Sequence, residues 1–149
     1  MLATVLAIAG TLLGAIVTGW LQHISQRSNR RATDAAALRA EGLAALTDLV
    51  TALADHRRAM WVREDLRLRG EDWTEARTES HRTRSAITTP LLRVQLLLPA
   101  LAPSARKATQ TTYTLRGVAA LDVLDVARAN AITATDELVT AAGRAFAAA

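Results

Sequence analysis

Histidine is the residue type in this sequence that could hold a metal ion or move protons near neutral pH, and the chain has His23, His56 and His81. A metal site on a helix needs two ligands on one face, as in His-x-x-x-His or Glu-x-x-His. Neither spacing occurs; Glu79 precedes His81 by two residues, which places the two side chains on different sides of a helix. We therefore expect each histidine to be structural or solvated.

Other reactive patterns are missing from the sequence. There is no cysteine, which excludes disulfides and thiolate metal sites and agrees with a reducing compartment. The phosphate-binding patterns G-x-x-x-x-G-K-[ST] and G-x-G-x-x-G and the nucleophile pattern G-x-S-x-G do not occur either. The sequence predicts a protein that is not an enzyme, with no cofactor and no metal.

Arginine dominates the charge, and the net charge is +4. Basic residues concentrate in residues 27–39 and 57–84, but Asp and Glu interleave with the second group. Mixed signs at helical spacing are typical of a solvated, ion-paired face, whereas nucleic-acid binding needs a stripe of one sign. Nucleic acid is therefore not expected as a partner. The Arg-rich, Ala-rich composition is typical of actinobacterial coding sequence.

The stretch that must position the rest is residues 2–21, LATVLAIAGTLLGAIVTGWL, which contains no charged side chain. As a helix it would be about 30 Å long, the thickness of a hydrocarbon core. The sequence predicts a single-pass transmembrane anchor over residues 1–23. A cleaved signal peptide, a helix buried in a larger domain and burial within an oligomer are the alternatives.

Orientation follows from the flanking charges. Arg27, Arg30 and Arg31 follow the span, and no basic side chain precedes it. Because Lys and Arg are retained on the cytoplasmic side, the N-terminus is predicted outside the cell membrane and residues 24–149 in the cytoplasm. The same three arginines form a predicted membrane-surface basic cluster that would attract anionic lipid headgroups.

Small residues repeat on one face of the span. Gly10 and Gly14 form a G-x-x-x-G pattern that Thr18 extends. Such a face lets two helices approach closely, so we expect a homo-oligomer that packs through it, in addition to contact with the lipid bilayer.

Helical periodicity accounts for the remaining residues. Apolar side chains recur at i, i+3, i+4 from about residue 28 to 69, and Gly42 marks either a weak point or a close contact. Gly70 is predicted to end this helix and Asp72 to cap the next, over about residues 73–98, with a kink or restart at Pro90.

Two further segments complete the fold. Ser104 is a predicted N-cap for a third helix, and the pattern breaks at Gly117 before resuming from about residue 119 to 146. The predicted fold is all-α, with the transmembrane helix continuing into an antiparallel bundle of three to four helices. A coiled-coil dimer of the long helix is the rival, although Arg57 interrupts its heptads.

Three segments of the sequence carry a resemblance to a known family: AMWVREDLRLRG (59–70), TESHRTRSAITTPLLRVQLLLPALAP (78–103) and TDELVTAAGRAF (135–146). They resemble the KilB-like membrane-associated proteins of Streptomyces and related actinobacteria. The resemblance implies a role in the spread of conjugative plasmids between mycelial compartments, with other membrane transfer proteins as partners. The alternative is a membrane-tethered adaptor that binds nucleic acid or anionic lipid through the Arg-rich segment after the span.

Overall fold

The computed structural model describes the backbone of residues 2–148 and the side chains of residues 33–148. Five α-helices follow one another, with a 3-10 turn at Pro99–Leu101: α1 (Leu2–Arg69), α2 (Thr74–Ala86), α3 (Thr88–Leu97), α4 (Ala102–Tyr113) and α5 (Leu121–Ala147). No strand occurs in residues 2–148. The all-α fold class is therefore confirmed.

By its internal contacts the chain divides into two units, residues 1–40 and 41–149. In the first unit, the side chains of residues 33–40 are exposed. The predicted anchor lies outside the residues whose side chains the structure describes. The same is true of its predicted packing face, Gly10, Gly14 and Thr18, and of the predicted basic cluster, Arg27, Arg30 and Arg31. The anchor and its boundary at residue 23 stay predictions.

Among the residues whose side chains the structure describes, no single helix is long and apolar enough to cross a membrane. The pair Thr74–Leu97 and Pro99–Tyr113 reaches that length and composition together, but it is bent by 119° at the break.

The turn after α1 forms as the sequence predicts. Gly70 has a φ of 73°, a conformation that residues with a side chain adopt rarely. Its N–H donates to the Arg67 carbonyl at 3.2 Å, and the Glu71 N–H donates to the Leu66 carbonyl at 3.0 Å, the bond pair of a Schellman motif. Asp72 Oδ1 then accepts the Thr74 N–H at 2.9 Å, which satisfies a free donor of α2.

The helix predicted for residues 73–98 is divided, but the break is not at Pro90. It lies at Ile87, between α2 and α3, and Ile87 is fully buried. Pro90 falls in the first turn of α3, where its missing N–H would have no helical partner. The proline is therefore accommodated by a restart that begins one turn earlier.

The prediction that Ser104 caps the third helix is wrong. Helix α4 begins at Ala102, and Pro103 lies in its first turn. The fixed φ of proline suits that position, and the preceding 3-10 turn leads directly into the helix. Gly117, with a φ of 75°, lies in the connection before α5 as predicted.

The bundle core consists of aliphatic and alanine side chains in two clusters. The larger cluster joins α1, α3, α4 and α5 through thirteen buried residues: Ala45, Leu46, Leu49, Ala52, Leu53, Ile87, Val94, Leu101, Ala105, Ala108, Ala134, Leu138 and Ala142. The smaller cluster contains Met60, Leu115, Leu124 and Ala131. Because so many of these side chains are methyl groups, the helices can approach closely. The predicted stripe of α1 is confirmed from Leu46 onward, but Leu38 is 54% exposed.

Gly42 marks a close contact within this packing. A Cβ atom built at Gly42 would lie 2.9 Å from Leu98 Cδ2 and 3.3 Å from Leu98 Cγ. In α5, by contrast, a Cβ at Gly143 would meet nothing within 4 Å. Gly42 is thus closely packed and Gly143 is open, so the effect of a substitution at the two glycines can be compared directly.

We expect Gly143→Ala to stabilise the protein by about 1 kcal/mol, since alanine forms helix better than glycine. Gly42→Ala should lose most of that gain because it crowds Leu98. In a Leu98→Ala background, Gly42→Ala should regain it. Urea unfolding of the four variants provides the free energies, and equal stabilisation by both glycine substitutions in the native background would contradict the close contact.

Candidate interaction surface

A layer of buried polar side chains lies on the same helices as the two apolar clusters. On α1, His56 falls between Leu53 of the larger cluster and Met60 of the smaller one, and it is 1% exposed. Buried hydroxyls from α2, α4 and α5 accompany it: Thr83, Thr109, Thr112 and Thr135. The last three each donate to the carbonyl one turn earlier in their own helix. Their burial therefore leaves no donor unpaired.

His56 and Thr83 join α1 to α2. The His56 Nδ1 atom lies 3.0 Å from Thr83 Oγ1, and Thr83 Oγ1 lies 3.0 Å from the Glu79 carbonyl oxygen. Since a hydroxyl has one proton and the carbonyl must receive it, His56 Nδ1–H is assigned as the donor to Thr83. The edge of the ring meets Tyr113 with centroids 5.6 Å apart.

Burial keeps His56 neutral. Burial, together with the smaller effect of the positive charges of Arg84 and Arg63, lowers the pKa of His56 from 6.5 to about 4. Arg84 itself is held over the Tyr113 ring, 4.1 Å from the centroid. The arrangement supports a structural role for His56.

A buried ion pair extends the polar layer along α1. Glu64 is 1% exposed, and Arg67 Nε donates to its Oε2 atom at 2.6 Å. Arg67 also donates to the Val118 carbonyl in the connection between α4 and α5. On the other side, Arg63 Nε lies 3.6 Å from Glu64 Oε1. These two atoms make no hydrogen bond, so the carboxylate holds Arg63 by charge alone, whereas it holds Arg67, and through it the loop, by hydrogen bonds.

Since His56 protonates in the unfolded chain near pH 6.5 and in the folded chain near pH 4, the free energy of unfolding should fall as the pH is lowered through this window. The contribution of His56 to this loss should be about 3 kcal/mol. His56→Asn should be less stable at neutral pH but should show a flatter pH dependence.

Thermal and urea unfolding at several pH values measure this effect. His81→Asn is the matched control, because His81 is exposed and has no partner in the buried layer. A pH profile of His56→Asn as steep as that of the native chain would refute the assignment.

A surface groove lies between α1 and the α2–α3 segment. Three adjoining pockets of about 230, 360 and 300 Å³ form it. Small and aliphatic side chains line it, among them Ala52, Ala59, Val62, Ala76, Ala86 and Pro90. Five carboxylates and two arginines also line it: Asp48, Asp55, Asp72, Glu75, Glu79, Arg58 and Arg82. We call this surface the acidic groove.

Hydrogen bonds to two carboxylates of the acidic groove, Glu79 and Asp72, lower their pKa values. Arg82 donates to both oxygens of Glu79, at 2.7 and 2.6 Å, and this lowers the pKa of Glu79. The N–H of Thr74 lowers the pKa of Asp72 in the same way. Asp48 accepts from Arg93 at 3.0 Å. At neutral pH the lining therefore carries more negative than positive charge.

Within the described side chains, no three His, Asp or Glu residues lie close enough together to hold one ion.

Comparison with known proteins places the chain among characterised sequences. The family model described as KilB plasmid transfer protein matches residues 43–146. This chain belongs to the KilB family. The chain is also 51% identical to Protein KilB of Streptomyces lividans over 149 residues, covering 98% of this chain and 99% of that protein. No solved structure matches the chain.

The KilB family assignment confirms the resemblance seen in the sequence, and the acidic groove adds residues that the sequence did not single out. Asp48 and Asp55 are seven residues apart on α1, and Glu79 and Arg82 are three apart on α2. Each spacing places two charges on one helix face, which was visible in the sequence. The register of α2 against α1 brings the two pairs together, and this register was not visible in the sequence.

Proposed function

We propose that this chain acts in plasmid transfer or spread as a membrane-anchored helical protein that binds other proteins of the transfer apparatus. The observation that carries the proposal is the match to Protein KilB of Streptomyces lividans along nearly the whole of both chains. A match of that extent includes the N-terminal stretch as well as the bundle. The proposed role is interaction rather than catalysis.

Support for the anchor comes from the sequence. Residues 2–21 carry no charge and are as long as a bilayer span, and Arg27, Arg30 and Arg31 follow them. We infer a single pass through the cell membrane, with the N-terminus outside and the bundle in the cytoplasm. Gly10, Gly14 and Thr18 would allow two such spans to pack together.

The acidic groove is the surface through which we expect a partner to bind. Its apolar lining suits the buried side of a helix, and its five carboxylates suit flanking Arg or Lys side chains. The expected occupant is a cationic helix of another transfer protein. An adaptor that binds nucleic acid through Arg27, Arg30 and Arg31 remains the alternative function, and it would not use this groove.

Complementation of a transmissible plasmid that lacks its KilB gene tests the role and the anchor together. The full chain should restore transfer and sediment with membranes. A chain that starts at Ser25 should do neither, and fusing it to an unrelated single-pass anchor of the same orientation should restore both. Failure of the full chain would refute the role in transfer, whereas rescue by the soluble truncation would refute the anchor alone.

Charge reversal tests the acidic groove. Glu79→Lys places a cation beside Arg82, so we expect transfer to fall by about tenfold or more, equivalent to about 1.4 kcal/mol of lost binding. Glu41→Lys, an exposed change on α1 outside the groove, is the matched control and should transfer normally.

The same variants distinguish the alternative function. For the adaptor, Glu79→Lys would leave transfer intact, and replacing Arg27, Arg30 and Arg31 with Gln would abolish a steeply salt-dependent binding of nucleic acid. Normal transfer by Glu79→Lys at equal protein level would remove the groove from the proposal.

A further inference from the structure

Arg57 is an unusual residue in the packing of α1. Its side chain is partly buried, and its Nη1 atom is fully buried without a hydrogen-bond partner. Buried donors are nearly always paired, and an unpaired donor on a cation is more costly than a neutral one. The sequence showed Arg57 only as an interruption of an apolar stripe.

A second and a third arginine lie beside it. Arg57, Arg58 and Arg128 line one open pocket of about 260 Å³ together with Ala54 and Asp55. Asp55 is the single carboxylate of the pocket, and it lies 3.9 Å from Arg58. The lining therefore holds three guanidinium groups against one carboxylate, a net charge of +2, next to the acidic groove.

The positively charged guanidinium groups of Arg57 on α1 and Arg128 on α5 are held in place by neighbouring side chains. The Arg128 guanidinium lies over the Trp61 ring, 5.3 Å from the centroid, and Trp61 Nε1 donates to Asp125 at 3.2 Å. Burial lowers the pKa of Arg57, the charge of Arg128 lowers it further, and Asp136 opposes both. An anion bound between the arginines would offset the repulsion between the charges of Arg57 and Arg128.

Guanidinium groups suit oxygen anions of tetrahedral shape, because each presents paired N–H donors in a fixed fork. Three such groups around one pocket match the several oxygens of a phosphate better than the two oxygens of a carboxylate. We propose that Arg57, Arg58 and Arg128 form a binding site for a phosphate group, carried by a phospholipid headgroup or present as free phosphate.

The surface beside the pocket bears on the source of the phosphate. Ile132 lies one helical turn after Arg128, and Val139 lies two turns further along the same side of α5. They are 39% and 48% exposed. These two exposed aliphatic side chains, with Asp136 between them on the same helix face, offer a surface for the chain of a lipid. Free phosphate would leave this surface unused.

Calorimetric titration of the full-length chain in neutral detergent tests the site with two probes, inorganic phosphate and short-chain phosphatidic acid. At least one should bind, more weakly as salt is raised. Arg128→Gln should raise the Kd of that probe about tenfold, and so should Arg58→Gln, whose side chain is 82% exposed and which should leave the fold unchanged. Arg106→Gln, an exposed change on α4 outside the pocket, should bind as the native chain does.

The two sources are separated by a further variant. If the ligand is a lipid, phosphatidic acid should bind about tenfold more tightly than inorganic phosphate, and Ile132→Asn should weaken only the lipid. Equal affinity of the two probes, unaffected by Ile132→Asn, would assign free phosphate.

The site would be overturned if neither probe bound. It would also be overturned if the Kd were unchanged in both Arg128→Gln and Arg58→Gln, or if Arg106→Gln raised the Kd as much as those two variants do. Binding of an oligonucleotide without either probe would also overturn it, since the ligand would then need a longer surface than this pocket.

Discussion

The hydrogen bond between His56 and Thr83 is the constraint on which the rest of the bundle depends. It joins α1 to α2 at the buried polar layer, where the helices have no large apolar side chain to share. An imidazole that stays neutral and a hydroxyl that passes its proton to the Glu79 carbonyl can be buried at little cost. A second buried bond, from Arg63 Nη1 to Ser80 Oγ at 3.4 Å, joins the same two helices, and the two bonds together fix their register.

Register also determines which charges meet on the surface. Once α2 is fixed against α1, Glu79 and Arg82 lie across from Asp55, and together they line the acidic groove. Arg57, Arg58 and Arg128 gather where α5 meets α1, beside that groove. Two surfaces of opposite charge thus meet on one helix and share Asp55 and Arg58, and the two proposals assign each surface a different kind of partner.

Features set by local chemistry could be predicted from the sequence. Gly70 ended α1 because a positive φ and two backbone bonds need only neighbouring residues. The apolar periodicity of α1 was visible for the same reason. The positions where one helix ends and the next begins were harder to predict. The break at Ile87 and the start of α4 at Ala102 depend on how the chain turns over the core. Neither proline alone specified them.

The candidate site shows the same division. The charges on one helix face could be predicted from the spacing of charged residues in the sequence. The proximity of Arg57 to Arg128 could not, because these residues are 71 positions apart. The KilB family assignment, by contrast, was accessible from three sequence segments, since it depends on the order of residues rather than on their distances.

The attachment of Arg67 to both Glu64 and the Val118 carbonyl has a consequence for the lifetime of the protein in the cell. One guanidinium holds the connection that contains Leu115, a fully buried residue of the smaller cluster. Loss of the Arg67–Val118 bond would favour local opening of this connection and exposure of the Leu115 side chain. A protease would then meet opened backbone and an apolar side chain at the same place.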